Sequence, residues 1–390
     1  MRARPPALPQ PPGRRLLGHM TQWTFDPVSL LEAGAATGPV FRLRLWRPVV
    51  VGYRPDWNRT VLKDLDTFRS RGSLSGLTPY LAGGVVHTDP PAHEPARRAL
   101  NPHFHSRALA TLTDRLREVA AWHAPDGPFE ALAFAGMLIR RMLNTALFDA
   151  RLPDPLVGRF LAPLQRPNPA PLLPRPRLFG RLDAAIGRVL DDPPPGSVAG
   201  ALVDAGAGEA VDVVEELRVA LAAGYDTTAH TLAWALWHLA DTPAWRRVDT
   251  LPLVLDEIQR LYPAGWLGSR VTSRDTSVAG VDLPARTMVL YSPYLTHRDP
   301  QLWVEPGRFR PERFHDGLPA WGFIPFSAGP RTCLGAHLAR LMLRCALEPF
   351  CDDGGLTVLD GDPAVSAGIT LRPAGPLRLA RRAARAAGRD

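Results

Sequence analysis

Lysine is almost absent from this sequence, and cysteine and uninterrupted apolar runs are scarce. Lys63 is the only lysine, so arginine supplies 45 of the 46 basic residues behind the formal net charge of +8. Such a bias can follow genome composition, and no basic run is interleaved with aromatic side chains. We therefore expect no nucleic acid partner. An acidic protein is the partner that the positive charge favours.

The cysteines of the chain are Cys333, Cys345 and Cys351, which are too few for a disulfide framework. None of them belongs to a C-x-x-C pair, which argues against a structural zinc site. The N-terminal region is rich in arginine and proline and has no apolar core of the signal-peptide kind. These absences lead us to expect a cytoplasmic protein with reduced thiols.

Long apolar segments that could span a membrane are also missing. Residues 219–240 approach the required length, but they contain Asp226, His230 and His238, so we expect no transmembrane anchor. No shift in composition divides the chain either. The sequence therefore predicts one domain over residues 1–390, in which residues 1–20 form a Pro/Arg-rich arm. We expect this domain to be a monomer.

The apolar periodicity predicts a mainly helical chain with small sheets, an α+β fold. A first helix is expected over residues 25–36, and an irregular, Gly- and Ser-rich loop between residues 68 and 86. β-type alternation is confined to short segments. The expected strands lie at 40–51 as a hairpin, near 270–273, 278–282 and 287–291, and at 369–378 as a closing hairpin.

The densest cluster of chemical groups lies in residues 326–338, with the sequence FSAGPRTCLGAHL. Prolines and a glycine exclude a regular helix before Cys333, and apolar residues recur at helical spacing from Leu334 onward, so the cysteine is predicted at a helix start. Unpaired N–H groups there, the helix dipole and the nearby Arg331 favour a thiolate, which is a metal ligand. Cys333 and His337 make only half of a zinc site. A free buried cysteine is the alternative.

A second unusual segment lies in a helix predicted over residues 209–240. After Arg218 this helix is apolar almost all round, which predicts that it crosses the protein interior. Its AGYDTT sequence nevertheless places Gly224, Asp226 and Thr227 in mid-helix, where the glycine costs about 1 kcal/mol and a buried, unpaired carboxylate several times as much. Either a function compensates for this cost, or Thr227 bonds to the helix backbone and Asp226 joins an ion pair.

Two sets of charged residues have helical spacing. His93 and Arg97 lie four residues apart on one face of a predicted helix, where two donors suit a carboxylate; a solvated helix face is the alternative. Glu257 and Arg260 lie three residues apart on another helix, and Arg313 follows further along the chain. Ordinary surface pairing is the alternative for this second set.

The spacing of Phe326, Gly329, Arg331, Cys333 and Gly335 resembles the haem-binding loop of the cytochrome P450 family. The resemblance implies a P450 fold around a long central helix and haem b (iron protoporphyrin IX) as the cofactor, with Cys333 as the proximal ligand of the iron. It also implies that Phe326 packs beside the sulfur and that Arg331 pairs with a haem propionate. Gly329 and Gly335 would let the backbone approach the porphyrin.

The same resemblance covers the charged pair on the early helix. His93 and Arg97 match the family's propionate-binding pair, and Arg270 is a third candidate for that role. Three donors are thereby expected around the carboxylates of the cofactor.

The mid-helix residues also match the family. Gly224 would leave room for dioxygen, and Asp226 and Thr227 match the acid–alcohol pair that delivers protons to it. The resemblance thus accounts for the locally unfavourable composition of this helix.

Glu257, Arg260 and Arg313 resemble the family's buried ion network, which serves folding and haem retention. No flavin, iron–sulfur or nicotinamide region follows the loop of Cys333, so we expect electrons from a separate ferredoxin or flavodoxin with its reductase. The candidate residues for binding that partner are Arg98, Arg107, Arg340 and Arg344.

The resemblance implies a monooxygenase that inserts one atom of O₂ into a substrate. Residues 74–86, 263–268 and 364–370 are expected beside the cofactor, and they contain no charged residue. An apolar substrate that gains about 25 cal/mol per Å² on burial, without a salt bridge, is therefore expected. The predicted pocket residues are Leu74, Leu77, Leu81, Val85, Trp266, Leu267 and Ile369.

A narrower resemblance concerns the substrate. The segments LYPAGW (261–266), LYSPYL (290–295) and ITLRP (369–373) look similar to bacterial carotenoid ring hydroxylases, which implies hydroxylation of a terpenoid and, most specifically, of a carotenoid ring. His93 departs from that subgroup, which more often has Trp there. Fatty-acid hydroxylation, a peroxide-driven peroxygenase, a dehydratase-type haem isomerase and a non-catalytic haem sensor are the alternatives.

Overall fold

A computed structural model describes residues 8–74, 80, 83–166, 173–351 and 355–382. These residues form a mainly helical protein with small sheets, so the predicted fold class is confirmed. The helices, in chain order, are α1 (Met20–Phe25), α2 (Pro27–Ala35), α3 (Pro55–Lys63), α4 (Gly84–His87), α5 (His93–Leu100), α6 (Ser106–Leu109), α7 (Thr113–His123), α8 (Ala131–Phe148), α9 (Asp154–Leu161), α10 (Pro176–Asp191), α11 (Val198–Asp204), α12 (Val213–Asp241), α13 (Leu251–Leu261), α14 (Pro293–Thr296) and α15 (Ala336–Leu347).

The strands are short: β1 (Val40–Arg44), β2 (Pro48–Gly52), β3 (Phe68–Arg69), β4 (Gly127–Glu130), β5 (Gly268–Thr272), β6 (Thr276–Val278), β7 (Val281–Leu283), β8 (Met288–Tyr291), β9 (Thr357–Asp360), β10 (Val365–Ala367), β11 (Leu371–Pro373) and β12 (Arg378–Arg381). The largest sheet that they form has the order β1-β2-β8-β5-β3. In it, β1 and β2 form the expected antiparallel hairpin, and β8 runs parallel to β2. The other sheets are β4-β12-β9, β6-β7 and β10-β11.

The long helix α12 crosses the interior, as its apolar composition predicts. Its 29 residues span about 44 Å at 1.5 Å per residue. It begins at Val213, four residues later than predicted, because the Asp212 carboxylate accepts a hydrogen bond from the Glu215 N–H at 3.0 Å and caps the helix. Residues 207–209 form a separate 3₁₀ turn.

Helix α8 packs along α12 and is the other main element of the core. Within the described ranges, it is the one helix with the length and hydropathy of a membrane span, and 72% of its apolar window is buried inside the protein. Burial of this kind is what a core helix requires.

Three expected elements have different bounds. The helix predicted over residues 25–36 is two helices, because the Asp26 carboxylate accepts from the Ser29 N–H at 3.2 Å and Pro27 begins α2. The loop between residues 68 and 86 contains β3 and the start of α4. The closing hairpin is formed by β10 and β11, with Ile369 at its tip, while β12 pairs with β4 and β9 instead.

Candidate active site

A cavity of about 580 Å³ lies between α12 and the loop before α15. That volume is typical of a small-molecule binding site. Its wall combines the loop of Cys333, the middle of α12, the start of α5 and residues 264–270. The segments for which the sequence predicts a function therefore meet at one cavity.

Cys333 lines this cavity, and its side chain is exposed there. Its N–H donates to the Phe326 carbonyl at 2.8 Å, which closes the loop. Burial raises the pKa of the Cys333 thiol, while the Gly335 N–H and the positive charge of Arg97 act in the opposite direction. Helix α15 begins at Ala336, later than expected. The N–H group of the loop thus acts in the expected direction, but burial outweighs it, and a bound metal cation would reverse that balance.

The other cysteines lie outside the cavity wall. Cys345 is buried with its sulfur 3.9 Å from the Thr113 carbonyl oxygen, and Cys351 is buried with its sulfur 3.5 Å from the Leu347 carbonyl oxygen. Of the cysteines in the sequence, Cys333 is thus the one whose sulfur faces the cavity.

Basic side chains converge on the cavity. His93, Arg97 and Arg270 all line it. The Nε atoms of Arg97 and Arg270 are buried without a hydrogen-bond partner, and the Arg270 guanidinium lies 5.5 Å from the centre of the Tyr291 ring. Burial, assisted by Arg331 and Arg97, lowers the pKa of His93 to about 4, so this imidazole is neutral at pH 7.

Arg331 lines the same cavity but has a protein partner. Its Nη2 lies 2.6 Å from Asp89 Oδ1 and 2.7 Å from the Thr88 carbonyl oxygen. Burial lowers the pKa of Arg331 to about 10, well above neutrality, so it stays charged. Asp89 also accepts from the Ser70 and Arg71 N–H groups, and so this ion pair fixes the loop to the segment before α5.

The glycines predicted to admit the cofactor differ in their surroundings. Gly335 lines the cavity, and a Cβ there would meet no atom within 4 Å. Gly329 has φ +73°, and its Cβ would lie 2.7 Å from the Leu62 carbonyl oxygen, so it serves the packing of the loop on α3 rather than the cavity wall. Gly224 also lines the cavity. A Cβ there would lie 3.0 Å from Cδ2 of Leu143 on α8, so the glycine leaves space for that leucine side chain.

The acid and the alcohol of α12 point in different directions. Thr227 lines the cavity and donates from Oγ1 to the Ala223 carbonyl at 2.8 Å. Asp226 does not line it: its side chain accepts from Thr370 Oγ1 at 2.5 Å and lies 3.4 Å from the imidazole of His230. Burial raises the pKa of Asp226 to about 6, against the effect of the Thr370 hydrogen bond.

The predicted substrate pocket is partly described. Leu77 and Leu81 lie outside the described residues. The other predicted pocket residues, which all line the cavity, are Leu74, Val85, Trp266, Leu267 and Ile369.

Glu216 and Trp23 also line the cavity, although no pattern in the sequence indicated a role for either. The Glu216 carboxylate is 7% exposed and accepts from the Val85 N–H at 2.7 Å. Burial raises its pKa to about 7. The expectation of a pocket that offers no salt bridge was therefore wrong, because Glu216 reads in sequence as an ordinary acidic residue of the long helix.

The ion network behind the cavity joins all three predicted residues. Glu257 and Arg260 are both fully buried, with Oε2 and Nε 2.7 Å apart and Oε1 and Nη2 2.8 Å apart. Arg313 Nε lies 3.2 Å from Glu257 Oε2. The Arg260 guanidinium also donates to the backbone carbonyls of His297, Pro306 and Arg308.

Most of the arginines proposed for partner binding already form ion pairs. Arg98 pairs with Glu94 at 2.8 Å, Arg340 with Asp256 at 2.9 Å, and Arg344 with Glu348 at 3.4 Å, each measured between nitrogen and oxygen. Arg107 lies near the start of α6, where its N–H faces His105 Nδ1.

The residues present fit a haem. A single cysteine sulfur faces a cavity that also holds Arg97 and Arg270, whose buried Nε atoms need an anionic or acceptor partner. Propionate groups would supply that partner. The fold and the cavity together define a haem-thiolate protein.

Comparison with known proteins supports the same class of protein. The family model described as Cytochrome P450 matches residues 8–125 and 244–350. The chain is 27% identical to cyclooctatin synthase of Streptomyces melanosporofaciens, over 95% of this chain and 94% of that protein. It is 26% identical to cyclooctat-9-en-7-ol 5-monooxygenase of the same organism, over 83% and 84%. Cytochrome P450 3A6 of Oryctolagus cuniculus is 35% identical over 35% of this chain and 33% of its own length.

The chain belongs to the cytochrome P450 family. It is a monooxygenase with a haem cofactor, and it uses O₂, a substrate and a redox partner.

Proposed function

We propose that this monooxygenase hydroxylates an apolar substrate of the terpenoid kind, with haem b held by Cys333. The overall reaction is RH + O₂ + 2e⁻ + 2H⁺ → ROH + H₂O. The observation that carries the proposal is the sulfur of Cys333 at a cavity lined by Arg97 and Arg270, whose Nε atoms have no hydrogen-bond partner. The haem, when bound, supplies the activation of dioxygen.

The basic residues around the cavity and Phe326 are proposed to hold the cofactor. Arg97 and Arg270 offer charge-assisted hydrogen bonds to the propionates, and neutral His93 adds a donor from the same helix face. Arg331 contributes its charge while its ion pair with Asp89 keeps the loop in place. Phe326, whose carbonyl oxygen accepts from the Cys333 N–H, would pack beside the sulfur, and the Arg340 guanidinium lies 5.3 Å from its ring centre.

The residues of α12 are proposed to handle protons and dioxygen. Thr227 has its hydroxyl at the cavity, where it can hydrogen-bond to dioxygen after a small rotation away from the Ala223 carbonyl. Asp226 supplies the acid from behind the helix. Gly224, in the preceding turn, keeps the cavity open beside Thr227.

The substrate proposal rests on the cavity wall. Leu74, Val85, Trp266, Leu267 and Ile369 form an apolar surface, which supports a hydrocarbon skeleton over a charged molecule. Two full-length relatives carry cyclooctatin-related names, which supports the terpenoid class. Carotenoid ring hydroxylation is the most specific form of the proposal.

Glu216 places one carboxyl group beside this apolar surface. Its carboxyl group can accept a hydrogen bond from a hydroxyl group, and it repels the carboxylate of a fatty acid when it is ionised. A terpenoid that already carries a hydroxyl group therefore fits the cavity better than a fatty acid does.

For electron supply, we propose a separate ferredoxin or flavodoxin with its reductase. We also propose that the enzyme is cytoplasmic and monomeric. The formal net charge of +8 supports an acidic partner.

The first test is the absorption spectrum of the reduced, carbon monoxide-bound protein. We expect the thiolate-type spectrum for the parent protein. Its absence would overturn the proposal of Cys333 as the ligand.

The second test is turnover with a surrogate ferredoxin and reductase. β-Carotene, a cyclic diterpene alcohol and a long-chain fatty acid are compared, with and without O₂, and with hydrogen peroxide in place of the redox system. Oxygenated terpenoid products that require the reductase support the proposal. Turnover of the fatty acid alone, or turnover that needs only peroxide, would replace it with one of the alternative activities.

A further inference from the structure

A buried carboxylate lies at one end of an apolar stripe of α12. Glu216 lines the cavity and is 7% exposed. Its Oε1 accepts from the Val85 N–H at 2.7 Å, and among the described residues Val85 is the one hydrogen-bond partner of this carboxylate. A Cβ on Gly84 would lie 2.8 Å from Oε2, so the absence of a side chain at Gly84 leaves this oxygen uncovered. One oxygen of a cavity-lining carboxylate is therefore without a hydrogen-bond partner.

The chemistry of Glu216 favours a hydroxyl group as that partner. A buried acceptor without a partner costs free energy, and a ligand that donates a hydrogen bond offsets this cost. Burial raises the pKa of Glu216 to about 7, so both of its forms are present near neutrality. A hydroxyl group can donate to the ionised form and accept from the protonated form. An ammonium group binds the ionised form alone, and the positive charge of Arg97, which lowers the pKa of Glu216, opposes a second cation there.

Thr227 lies at the other end of the stripe. The cavity-lining residues between the two ends recur at helical spacing and have no polar side-chain atom: Val219, Ala220, Ala223 and Gly224. The eleven residues from Glu216 to Thr227 correspond to about 16 Å along the helix axis, at 1.5 Å per residue. A hydrocarbon skeleton can therefore lie along small and apolar residues, with one polar group of α12 at each end.

We propose that Glu216 forms a hydroxyl-binding subsite, and that the substrate is an elongated terpene alcohol oxidised at the end remote from its hydroxyl group. The subsite holds the existing hydroxyl group, and the remote end of the skeleton reaches Thr227, where the proposed function places dioxygen. With the alcohol as RH, the overall reaction is the one given above, and the product is a diol. A reaction that introduces the first hydroxyl group must precede this one. The position of oxidation rests on the proposed function, whereas the binding of the hydroxyl group does not.

Glu215 supplies a matched control beside the subsite. It accepts from the Gly84 N–H at 3.1 Å, as Glu216 accepts from the next N–H of α4. Its Oε1 also lies 3.3 Å from Arg218 Nη2. Of these two carboxylates, Glu216 is the one that lines the cavity. Glu215→Gln therefore tests the effect of a changed contact with α4 without a changed cavity wall.

The first experiment measures the contribution of the ligand's hydroxyl group to binding. A linear diterpene alcohol, its methyl ether and the primary amine of the same skeleton are titrated calorimetrically into haem-loaded protein. The titrations are done at about pH 8.5, where Glu216 is ionised and accepts from the alcohol but not from the ether. Hydrogen bonds to charged groups are strong enough that the alcohol should bind the parent protein at least about tenfold more tightly than the ether.

Glu216→Gln separates recognition of the hydroxyl group from support of α4. Its amide oxygen can still accept from the Val85 N–H, but the atom at the other position becomes an N–H donor. Because the alcohol and the ether can both accept from that donor, their affinities should lie within about twofold of each other. Glu215→Gln should keep the preference of the parent protein.

Three results of these titrations would overturn the subsite. The first is equal affinity of the parent protein for the alcohol and the ether. The second is an unchanged preference for the alcohol in Glu216→Gln. The third is tighter binding of the amine than of the alcohol by the parent protein, which would assign the carboxylate to a cation instead.

Product analysis with a surrogate ferredoxin and reductase tests the position of oxidation. The diterpene alcohol should be oxygenated on carbons at the end remote from its hydroxyl group. A linear monoterpene alcohol is too short to span about 16 Å, so it should bind more tightly than its own methyl ether but give several times less product. Oxidation of the diterpene alcohol next to its hydroxyl group would overturn the proposed orientation. Loss of the thiolate-type carbon monoxide spectrum in the parent protein would instead refute the proposed function and leave the calorimetric result standing.

Discussion

Replacing Glu257 by glutamine should destabilise this protein more than any single surface change. Glu257 is fully buried and makes two short contacts with the Arg260 guanidinium, at 2.7 and 2.8 Å. It also accepts from the Arg310 N–H at 2.7 Å and lies 3.2 Å from Arg313 Nε. Glutamine has nearly the same shape but leaves two guanidinium groups without a counter-charge.

The expected magnitude follows from the burial of the pair. Breaking a buried ion pair by removing one partner costs about 3–5 kcal/mol, because the remaining charge stays in a medium of low polarity. An unfolding entropy of about 2.1 cal/mol/K per residue corresponds to about 0.8 kcal/mol/K for a chain of this length. The variant should therefore melt about 4–6 °C below the parent protein.

Thermal unfolding followed by circular dichroism, on haem-loaded protein at one concentration, measures this change. Glu312→Gln is the matched control, because Glu312 is 48% exposed and pairs with Arg310 at 3.2 Å at the surface. Such a pair contributes less than about 1 kcal/mol, so the control should melt within about 1 °C of the parent. Equal melting temperatures for the two variants would refute the structural role assigned to the network.

Three further predictions concern the cavity. Cys333→Ser should abolish the thiolate-type carbon monoxide spectrum, whereas Cys345→Ser should retain it; a retained spectrum in the first variant would contradict Cys333 as the iron ligand. Thr227→Ala should divert reducing equivalents from product to hydrogen peroxide, measured as product and peroxide formed per electron. The control Thr231→Ala, one turn along α12, should divert fewer. Equal coupling in both variants would contradict a role for the Thr227 hydroxyl. Burial raises the pKa of Glu216 to about 7, so its ionisation should destabilise the folded state as pH rises from about 4.5 through 7. The stability of Glu216→Gln relative to the parent protein should therefore increase over that range. Denaturant unfolding at several pH values measures this difference, and a pH-independent difference would contradict the assigned burial.

Local sequence was sufficient for the elements that depend on one segment. Gly329, Pro330 and Cys333 follow one another in a loop whose conformation requires a positive φ at the glycine. The apolar surface of α12 predicts burial wherever that helix packs. In both cases the determining interactions lie within a few residues, so spacing alone was informative.

Spacing did not predict which side chains share the cavity. Asp226 and Thr227 are neighbours in sequence, but successive helical residues differ by about 100° in direction, and the rotation of α12 against the rest of the protein decides which of them faces the cavity. Glu216 was missed for the same reason. Its carboxylate reaches the Val85 N–H only because α4 packs on the first turns of α12.

The sequence by itself determined the helical fold, the position of the cysteine loop and the pairing of Glu257 with Arg260, because each of these depends on periodicity or on side chains one helical turn apart. Only the tertiary structure decided the partners that lie far apart in the chain. Thr370 bonds to Asp226 across 144 residues, and Arg331 pairs with Asp89 across 242. Such contacts depend on how α12 and the hairpin pack together, and no local pattern of residues encodes that geometry.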